Sequence, residues 1–202
     1  MIMSPEELSL LKGKYVFLQP IGEEHREVLR VLAKDDRIWE FTKTLMINET
    51  YDAQFDAYFQ EALDNRMSGG ESFAICKADD GALIGMTRMF AVDFPNKVLE
   101  IGHTWYIPST WGKVYNKECK FLLLQYIFET LHFNRVEFRV AHQNIRSQKA
   151  VGKIGGVFEG VLRKHRYRND GSRRDTVIFS IINDEWPGKK VDLAGLVAMS
   201  LR

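Results

Sequence analysis

Residues 111–116 form the turn that is best suited to bind a ligand in this 202-residue chain. The turn follows residues 98–107, which alternate like a strand, and precedes residues 117–132, whose apolar residues indicate a largely buried helix. A helix N-terminus presents unpaired backbone N–H groups and the positive end of a dipole, and this combination binds phosphate groups. A second strand and helix, at 136–140 and 145–154, form a crevice beside the turn. The arrangement predicts a site for a nucleotide-type cofactor.

The elements that must position this turn follow from the apolar periodicity of the chain. Further strands are predicted at residues 14–20, 72–77, 83–91, 157–167 and 175–182, and helical segments within 23–41 and over 50–67. The last hairpin is predicted to turn at residues 169–171. The tail after Trp186 is expected to cover one edge. This order predicts an α/β fold with a mixed sheet, antiparallel early and locally parallel across the central helix.

The bulk composition restricts the classes of protein. Hydrophobic residues make up 45% of the chain, and 28 Lys plus Arg face 27 Asp plus Glu, for a net charge of +1. This balance gives no global reason to expect nucleic acid or a membrane as partner. Cys76 and Cys119 are expected to be reduced core residues. Without a signal peptide pattern or an apolar run of about 18 residues, the chain is expected to be a soluble, cytoplasmic single domain.

Four segments, taken in order, resemble the GNAT superfamily of acyl-CoA-dependent N-acyltransferases. They are EIGHTWYIP, WGKVYNKECK, NRVEFRVAHQNIRSQKAVGKIGG and FEGVLRKHRYRNDGSRRDTVIFSII. The resemblance is nearest to the acetyltransferases of ribosomal-protein N-terminal alanine and serine. It implies one N-acetyltransferase domain over 1–202, with a core at about 13–186. The implied fold is a mixed, mostly antiparallel seven-stranded sheet flanked by about four helices.

The resemblance also implies a reaction and its participants. An amine would attack the thioester of acetyl-CoA directly, with acetyl-CoA as co-substrate and without a metal. The amine could belong to a ribosomal or other protein N-terminus, or to a small molecule such as a polyamine, amino sugar or amino acid. A homodimer is common in the family. A non-catalytic acyl-CoA-binding module on the same fold remains an alternative, and nucleic-acid binding through the last hairpin is a weaker one.

The resemblance places the cofactor on backbone and side-chain groups along the crevice. The residues expected to contact it are Tyr106, Ile107, Gly112, Lys113, Val114, Tyr115, Asn116, Lys117, Asn144 and Ser147. The loop departs from the family pattern at Val114, which is β-branched and takes a positive φ only at a cost. Either the loop avoids that conformation at residue 114 or the grip on pyrophosphate is altered. Asn116 tolerates left-handed geometry or can cap a helix.

Two residues are candidates for proton transfer. Glu100 interrupts an apolar strand where many members of the family carry a carboxylate, and burial would raise its pKa toward the range of a general base. Alternatively, Glu100 is a solvated residue that pairs with Arg88 or Arg139. Ser147 lies three residues after Asn144 and would protonate the sulfur, unless these two residues only cap a helix.

Three further groups have a functional and a structural interpretation. His103 is expected to share an apolar face with Trp105 as a core histidine. The aromatic residues Trp39, Phe41, Tyr51, Phe55 and Tyr58 could line an acceptor pocket or pack in the core. The basic residues of the last hairpin could attract an acidic substrate, a ribosomal surface or the 3′-phosphate of the cofactor, or form a solvated face balanced by Asp170, Asp175 and Glu159. These basic residues are Arg163, Lys164, His165, Arg166, Arg168, Arg173 and Arg174.

Overall fold

A seven-stranded mixed sheet organises the computed structural model, which describes residues 11–42, 50–168 and 171–199. The strands are β1 (Val16–Pro20), β2 (Glu71–Lys77), β3 (Leu83–Asp93), β4 (Val98–Tyr106), β5 (Arg135–Ala141), β6 (Val157–Tyr167) and β7 (Arg173–Ile182). The α-helices in these residues are α1 (Arg26–Leu32), α2 (Tyr51–Asp64), α3 (Tyr115–Gln125), α4 (Ile145–Lys153) and α5 (Trp186–Met199). The predicted α/β fold and its element order are confirmed. Residues 169–170 of the predicted last turn, and the segment 1–10, lie outside the described residues.

The strands lie in the order β1-β2-β3-β4-β5-β7-β6. Every neighbouring pair is antiparallel except β4 and β5, which are parallel. A parallel pair needs a crossover connection, and α3 with the π-turn Tyr126–Thr130 provides it. The predicted local parallel pairing across the central helix is therefore confirmed.

Two apolar cores lie on opposite faces of the sheet. Leu99 and Ile101 of β4 pack with α3, α4 and α5 on one face. Trp105, on the same strand, packs with α1 and α2 on the other face. Leu11 and Leu193, which are 0% and 1% exposed, lie outside the predicted core at 13–186. The core therefore extends further toward both ends of the chain than the sequence indicated.

The segment after β7 forms a helix on the face of the sheet rather than a cover for its edge. Trp186 begins α5, and its ring lies 5.5 Å from that of Phe128 and 6.3 Å from that of Phe121. The Trp186 indole also donates to a Glu129 carboxylate oxygen at 2.7 Å. The expectation that the tail covers one edge was wrong because these aromatic contacts anchor it to α3 and the π-turn.

A buried carboxylate joins α3 to the start of β1. Glu118 lies in the first turn of α3 and is 5% exposed. Its oxygens accept the backbone N–H groups of Lys14, Tyr15 and Val16 at 2.9, 2.6 and 2.7 Å. A carboxylate that accepts several backbone N–H groups is well stabilised in its charged form. Glu118 thus fixes the helix that follows the candidate phosphate turn.

Candidate active site

The candidate site is an open cleft between β4 and β5. The two strands pair only from Val98↔Arg135 to Glu100↔Glu137, although β4 continues to Tyr106. Beyond this point a cleft of about 570 Å³ lies between the strands, bordered by the N-terminal ends of α3 and α4. Strand edges that face a gap leave backbone groups for a ligand rather than for a neighbouring strand. The sequence-predicted crevice therefore exists, and its base is at Glu100.

A β-bulge changes the direction of β4 inside the cleft. Arg88 pairs with Gly102 and Met86 pairs with Trp105, so Thr87 alone opposes His103 and Thr104. His103 has a φ of 48°, a conformation that non-glycine residues adopt rarely and that concentrates at functional sites.

The bulge overturns the predicted alternation beyond residue 102. His103 is exposed and lines the cleft, so it is not the core histidine that the alternation predicted. Its ring contacts the rings of Phe90 and Tyr58, with centroids 5.0 and 6.0 Å away. Trp105 packs on the opposite face from Leu99, because one extra residue reverses the side on which each following residue lies.

The turn that precedes α3 is the candidate phosphate loop. Gly112 has a φ of 77°, and the position of a Cβ on it would be open space. Val114 has φ −67° and ψ −28°, so the loop avoids a positive φ at this β-branched residue. Tyr115 and Asn116 begin α3, where backbone N–H groups have no acceptor within the helix. Asn116 is thus a residue of the first helical turn, neither a cap nor left-handed.

Trp111 closes one side of the loop. Its indole N–H donates to the carbonyl of Tyr106 at 2.8 Å, and the Arg146 guanidinium lies 3.7 Å from the ring centroid. Ile107 donates its N–H to the carbonyl of Ile84 at 2.9 Å. This N–H is therefore already paired with β3, and contact of Ile107 with the pantetheine arm stays a prediction. Lys113 and Tyr106 line the cleft, as does Gly112.

The N-terminus of α4 forms the opposite wall. The Asn144 side chain caps this helix, because its Oδ1 accepts the N–H of Ser147 at 3.0 Å. Asn144 and Ser147 also line the cleft, so the capping and the cofactor-contact interpretations are compatible. Val151, one turn further, is 8% exposed and offers no hydroxyl.

Glu100 is a buried carboxyl at the base of the cleft. Its side chain is 11% exposed, and its nearest cation is the Nε of Arg139, at 3.4 Å from Oε2. Burial raises the pKa of Glu100 to about 7, and the charges of Arg139 and Arg166 only partly oppose this effect. Of the two predicted partners, Arg139 pairs with Glu100, whereas Arg88 donates to the carbonyl of Tyr58 at 2.7 Å. The site thus holds a carboxyl group that can gain or lose a proton near neutral pH.

A buried lysine lies in the same cleft. Lys120 is 5% exposed, and its Nζ donates to the hydroxyl oxygens of Thr87 at 3.1 Å and Thr104 at 2.8 Å. No carboxylate in the described residues forms an ion pair with it, and burial lowers its pKa. Thr104 belongs to the β4 bulge, so Lys120 connects α3 to the bulge. Lys120 was not among the residues expected from the sequence, although a lysine within a segment predicted to be buried is itself a signal.

The predicted aromatic residues divide between the cleft and the core, and part of the predicted basic group lines the cleft. Trp39, Phe41 and Tyr58 line the cleft, whereas Tyr51 and Phe55 pack among α1 and α2. The basic side chains at the end of the cleft away from the phosphate loop are Arg139, His165, Arg166 and Arg174. This set brings three residues of the last hairpin beside a residue of β5.

Two of the predicted counter-ions of the hairpin have other partners. Glu159 binds Arg135 and the Ser180 hydroxyl, and Asp175 accepts the backbone N–H of Lys164 at 2.7 Å. Asp170, the third, lies outside the described residues. The interpretation of the hairpin as a locally balanced face is therefore not supported by Glu159 or Asp175.

Two other classes of site receive no support from the described part of the chain. In residues 11–42, 50–168 and 171–199, no three His, Cys, Asp or Glu side chains gather as metal ligands would. None of the helices found there is long and apolar enough to cross a bilayer. Cys76 and Cys119 are both buried free thiols, as predicted.

The diverging parallel strands, the glycine loop before α3 and the cleft between them define an acyltransferase class of site. Residues 16–157 match the family described as "Acetyltransferase (GNAT) domain". Because this match covers well over half of the chain, the chain belongs to the GNAT acetyltransferase family. The resemblance noted from the four sequence segments is confirmed.

Individual relatives agree with this assignment. The chain is 36% identical over 112 residues to "Putative ribosomal N-acetyltransferase YdaF" of Bacillus subtilis, covering 55% of this chain and 60% of YdaF. The match therefore spans less than two thirds of that protein. A GCN5-related N-acetyltransferase from Brucella melitensis has a TM-score of 0.82 and 26% identity, with 93% of this chain and 84% of that chain covered. The RimJ of Mycobacterium smegmatis, in complex with CoA-disulfide, shares the fold at a TM-score of 0.77 and 18% identity, covering 90% and 88% of the two chains.

Proposed function

We propose that this protein transfers the acetyl group of acetyl-CoA to a primary amine by direct attack, with Glu100 as general base. The observation that carries the proposal is the buried carboxyl of Glu100, with a pKa of about 7, at the point where β4 and β5 separate. A general base is most effective when its pKa lies near the working pH. The family membership supplies the class of reaction, and Glu100 supplies a proton acceptor for it.

The phosphate loop supports acetyl-CoA as the donor. Gly112 approaches the open cleft without a side chain, and the first turn of α3 presents backbone N–H groups beside it. We propose that these groups, with Lys113 and Asn116, hold the pyrophosphate and that Asn144 contacts the pantetheine arm. The thioester then lies between β4 and β5, where the oriented backbone groups of the strand edges can polarise its carbonyl.

The proton balance of the reaction assigns a task to each end of the cleft. An alkyl amine has a pKa of about 10 and an α-amino group about 8, so most of the amine is protonated at neutral pH. Glu100 accepts a proton from the amine, directly or through water. The nitrogen forms its bond to the carbonyl carbon, the carbon–sulfur bond breaks, and the coenzyme leaves as a thiolate. We propose that the Ser147 hydroxyl donates its proton to that sulfur and is reprotonated by the second proton that the nitrogen loses, so that the products are the amide, the free thiol and protonated Glu100.

The acceptor is proposed at the level of its chemistry. A primary amine of a protein N-terminus, including that of a ribosomal protein, and a small-molecule amine both suit the reaction. The name of YdaF, "Putative ribosomal N-acetyltransferase", favours the first.

Thiol release from acetyl-CoA tests the proposal with a panel of small amines and N-terminal peptides. We expect Glu100→Gln to lower kcat/KM by about a hundredfold or more at pH 8, since general bases contribute factors of this size. The kcat/KM of the wild-type protein should rise through a pH near 7, and the variant should lose this rise. Coenzyme A affinity should stay unchanged.

Glu24→Gln is the matched control. It also removes one carboxylate, but the Glu24 side chain is 74% exposed on the surface and lies outside the cleft. Its profile should equal that of the wild-type protein. Equal turnover by Glu100→Gln at every pH would remove Glu100 as the base.

A non-catalytic acyl-CoA-binding module is the second candidate. Val151 favours it, because this buried side chain lies one turn after Ser147 and cannot donate a proton. Tight coenzyme binding by calorimetry, without thiol release for any amine in the panel, would favour this candidate over the enzyme.

A further inference from the structure

The end of the cleft beside Glu100 concentrates positive charge. The Arg139 guanidinium, from β5, lies 3.4 Å from the Glu100 carboxylate. His165 and Arg166, from β6, and Arg174, from β7, line the same end. Four side chains of basic type thus converge on the place where the amine must meet its proton acceptor. Such convergence is unfavourable unless an anion shares the space.

A second bulge brings these residues together. Leu162 pairs with Thr176 and Arg166 pairs with Arg174, so the three residues 163–165 of β6 oppose Asp175 of β7 alone. Lys164 has a φ of 51°, which marks the bulge and costs energy at a non-glycine residue. The register sets two arginines directly opposite each other, an arrangement that destabilises a sheet without a compensating charge.

Of these three arginines, only Arg139 forms an ion pair with a carboxylate of the described residues, although the charge of Glu100 also acts on Arg166 at longer range. Glu100 and Glu137 both contact Arg139, at 3.4 and 3.0 Å. Arg174 instead donates from Nη1 to a neutral acceptor, the carbonyl of Phe41, at 2.9 Å. Neither Arg166 nor Arg174 has an ion pair among the residues that the structure describes.

Buried polar atoms at the same end also lack partners. Within the described ranges, the Nε of Arg174, the Nδ1 of His165 and the Oγ1 of Thr176 are buried and make no hydrogen bond. Thr176 is 1% exposed and still lines the cleft. A buried polar atom without a partner is costly, and native structures usually satisfy such atoms with water or a ligand. Several donors around one space fit an anion with several acceptor oxygens.

We infer that this end of the cleft binds a carboxylate or phosphate group carried by the amine acceptor, a few bonds from the reacting nitrogen. The inference rests on the proposed function, since it places the anion beside Glu100. Arg166 and Arg174 bind the anionic oxygens, with Thr176 as a further donor. Arg139 remains the partner of Glu100. The phosphates of the coenzyme have a separate seat at Gly112 and the N-terminus of α3.

Matched pairs of amines test this inference. Phosphoethanolamine against ethanolamine measures the effect of a phosphate, and β-alanine against propylamine measures that of a carboxylate. We expect the anionic member of at least one pair to have a kcat/KM about tenfold or more above its neutral partner, the size of effect that charge-assisted hydrogen bonds give. Which pair shows the preference identifies the anion.

Variants locate the effect on the residues named. Arg166→Gln and Arg174→Gln should each reduce the preference about tenfold and leave coenzyme A affinity unchanged. Arg163→Gln is the control, because Arg163 is exposed on the same hairpin and does not line the cleft. Neutral amines that react as well as anionic ones, or an equal loss in Arg163→Gln, would overturn the inference and leave the proposed acetyl transfer standing.

A binding measurement separates the two proposals if no amine is acetylated. Absent turnover would refute the proposed function alone. Calorimetry of the coenzyme-bound protein with inorganic phosphate or succinate would then decide the anion site. Binding that disappears in Arg174→Gln supports the site, and no binding to the wild-type protein refutes it.

Discussion

Replacement of Glu100 by Gln should make the protein more stable at pH 8 while removing the proposed proton acceptor. Burial raises the pKa of Glu100 from 4.5 to about 7. Each pKa unit corresponds to about 1.4 kcal/mol, so ionised Glu100 lowers the free energy of unfolding by about 3 kcal/mol above pH 7. This loss develops as the pH rises from about 4.5 through 7, because over that window the folded protein holds a proton that the unfolded chain has released. The Gln side chain has the same shape but stays neutral, so the variant does not lose stability in this way.

The ion pair with Arg139 is the competing effect. If it dominated, Glu100→Gln would destabilise the protein at pH 8 by breaking the pair. The Arg139 side chain is 37% exposed, however, and also contacts Glu137. Solvent-screened pairs of this kind contribute at most about 1 kcal/mol, which is less than the burial effect. We therefore expect a net gain in stability.

Urea unfolding followed by tryptophan fluorescence at pH 5 and pH 8 measures both effects without knowledge of the acceptor. The free energy of unfolding of Glu100→Gln, relative to that of the wild-type protein, should be about 2–3 kcal/mol higher at pH 8 than at pH 5. Glu40→Gln, at an exposed carboxylate without an ion pair among the described residues, should show no such difference between the two pH values. A stability difference for Glu100→Gln that is the same at both pH values would refute the assignment of Glu100 as a desolvated carboxyl.

Two other perturbations probe the cleft. Lys120→Met should raise the free energy of unfolding more at pH 6 than at pH 10. Burial lowers the pKa of Lys120 from its ordinary 10.5, so the charged amine destabilises the folded protein below pH 10.5, by up to about 1.4 kcal/mol for each pH unit between the two pKa values. A gain in urea unfolding that does not vary with pH would contradict this. Gly112→Ala should destabilise the fold by about 1–2 kcal/mol through its φ of 77° alone, since the Cβ meets open space, and should weaken coenzyme A binding in calorimetry. Gly160→Ala, which also meets open space but without a positive φ, should do neither.

Local sequence patterns were sufficient to predict the strands of the sheet and the position of the Glu100 carboxyl. Alternation in residues 98–102 placed Glu100 opposite Leu99 and Ile101, and the structure confirms it. The same alternation failed at His103, because a bulge depends on how the partner strand pairs. The sequence of one strand does not contain that information.

The sequence also did not predict which residues that are distant along the chain come together in the site. Lys120 acquires its hydroxyl partners from two different strands, and Arg139 meets the last hairpin only through the order β5-β7-β6. The basic character of the hairpin was visible in its composition. Which of its side chains turn into the cleft depends on the bulge at Lys164, and this depends on the register with β7.

Glu118 links the proposed coenzyme site to the far edge of the sheet. From the first turn of α3, whose N-terminus faces the cleft, its carboxylate accepts three consecutive backbone N–H groups, of residues 14–16, where β1 begins. If a bound diphosphate makes that turn more rigid, local unfolding of β1, the edge strand four positions away from β5, should become rarer. Amide hydrogen exchange at residues 14–16 would then slow when coenzyme A binds, and ligand occupancy could be followed at a place that touches no ligand.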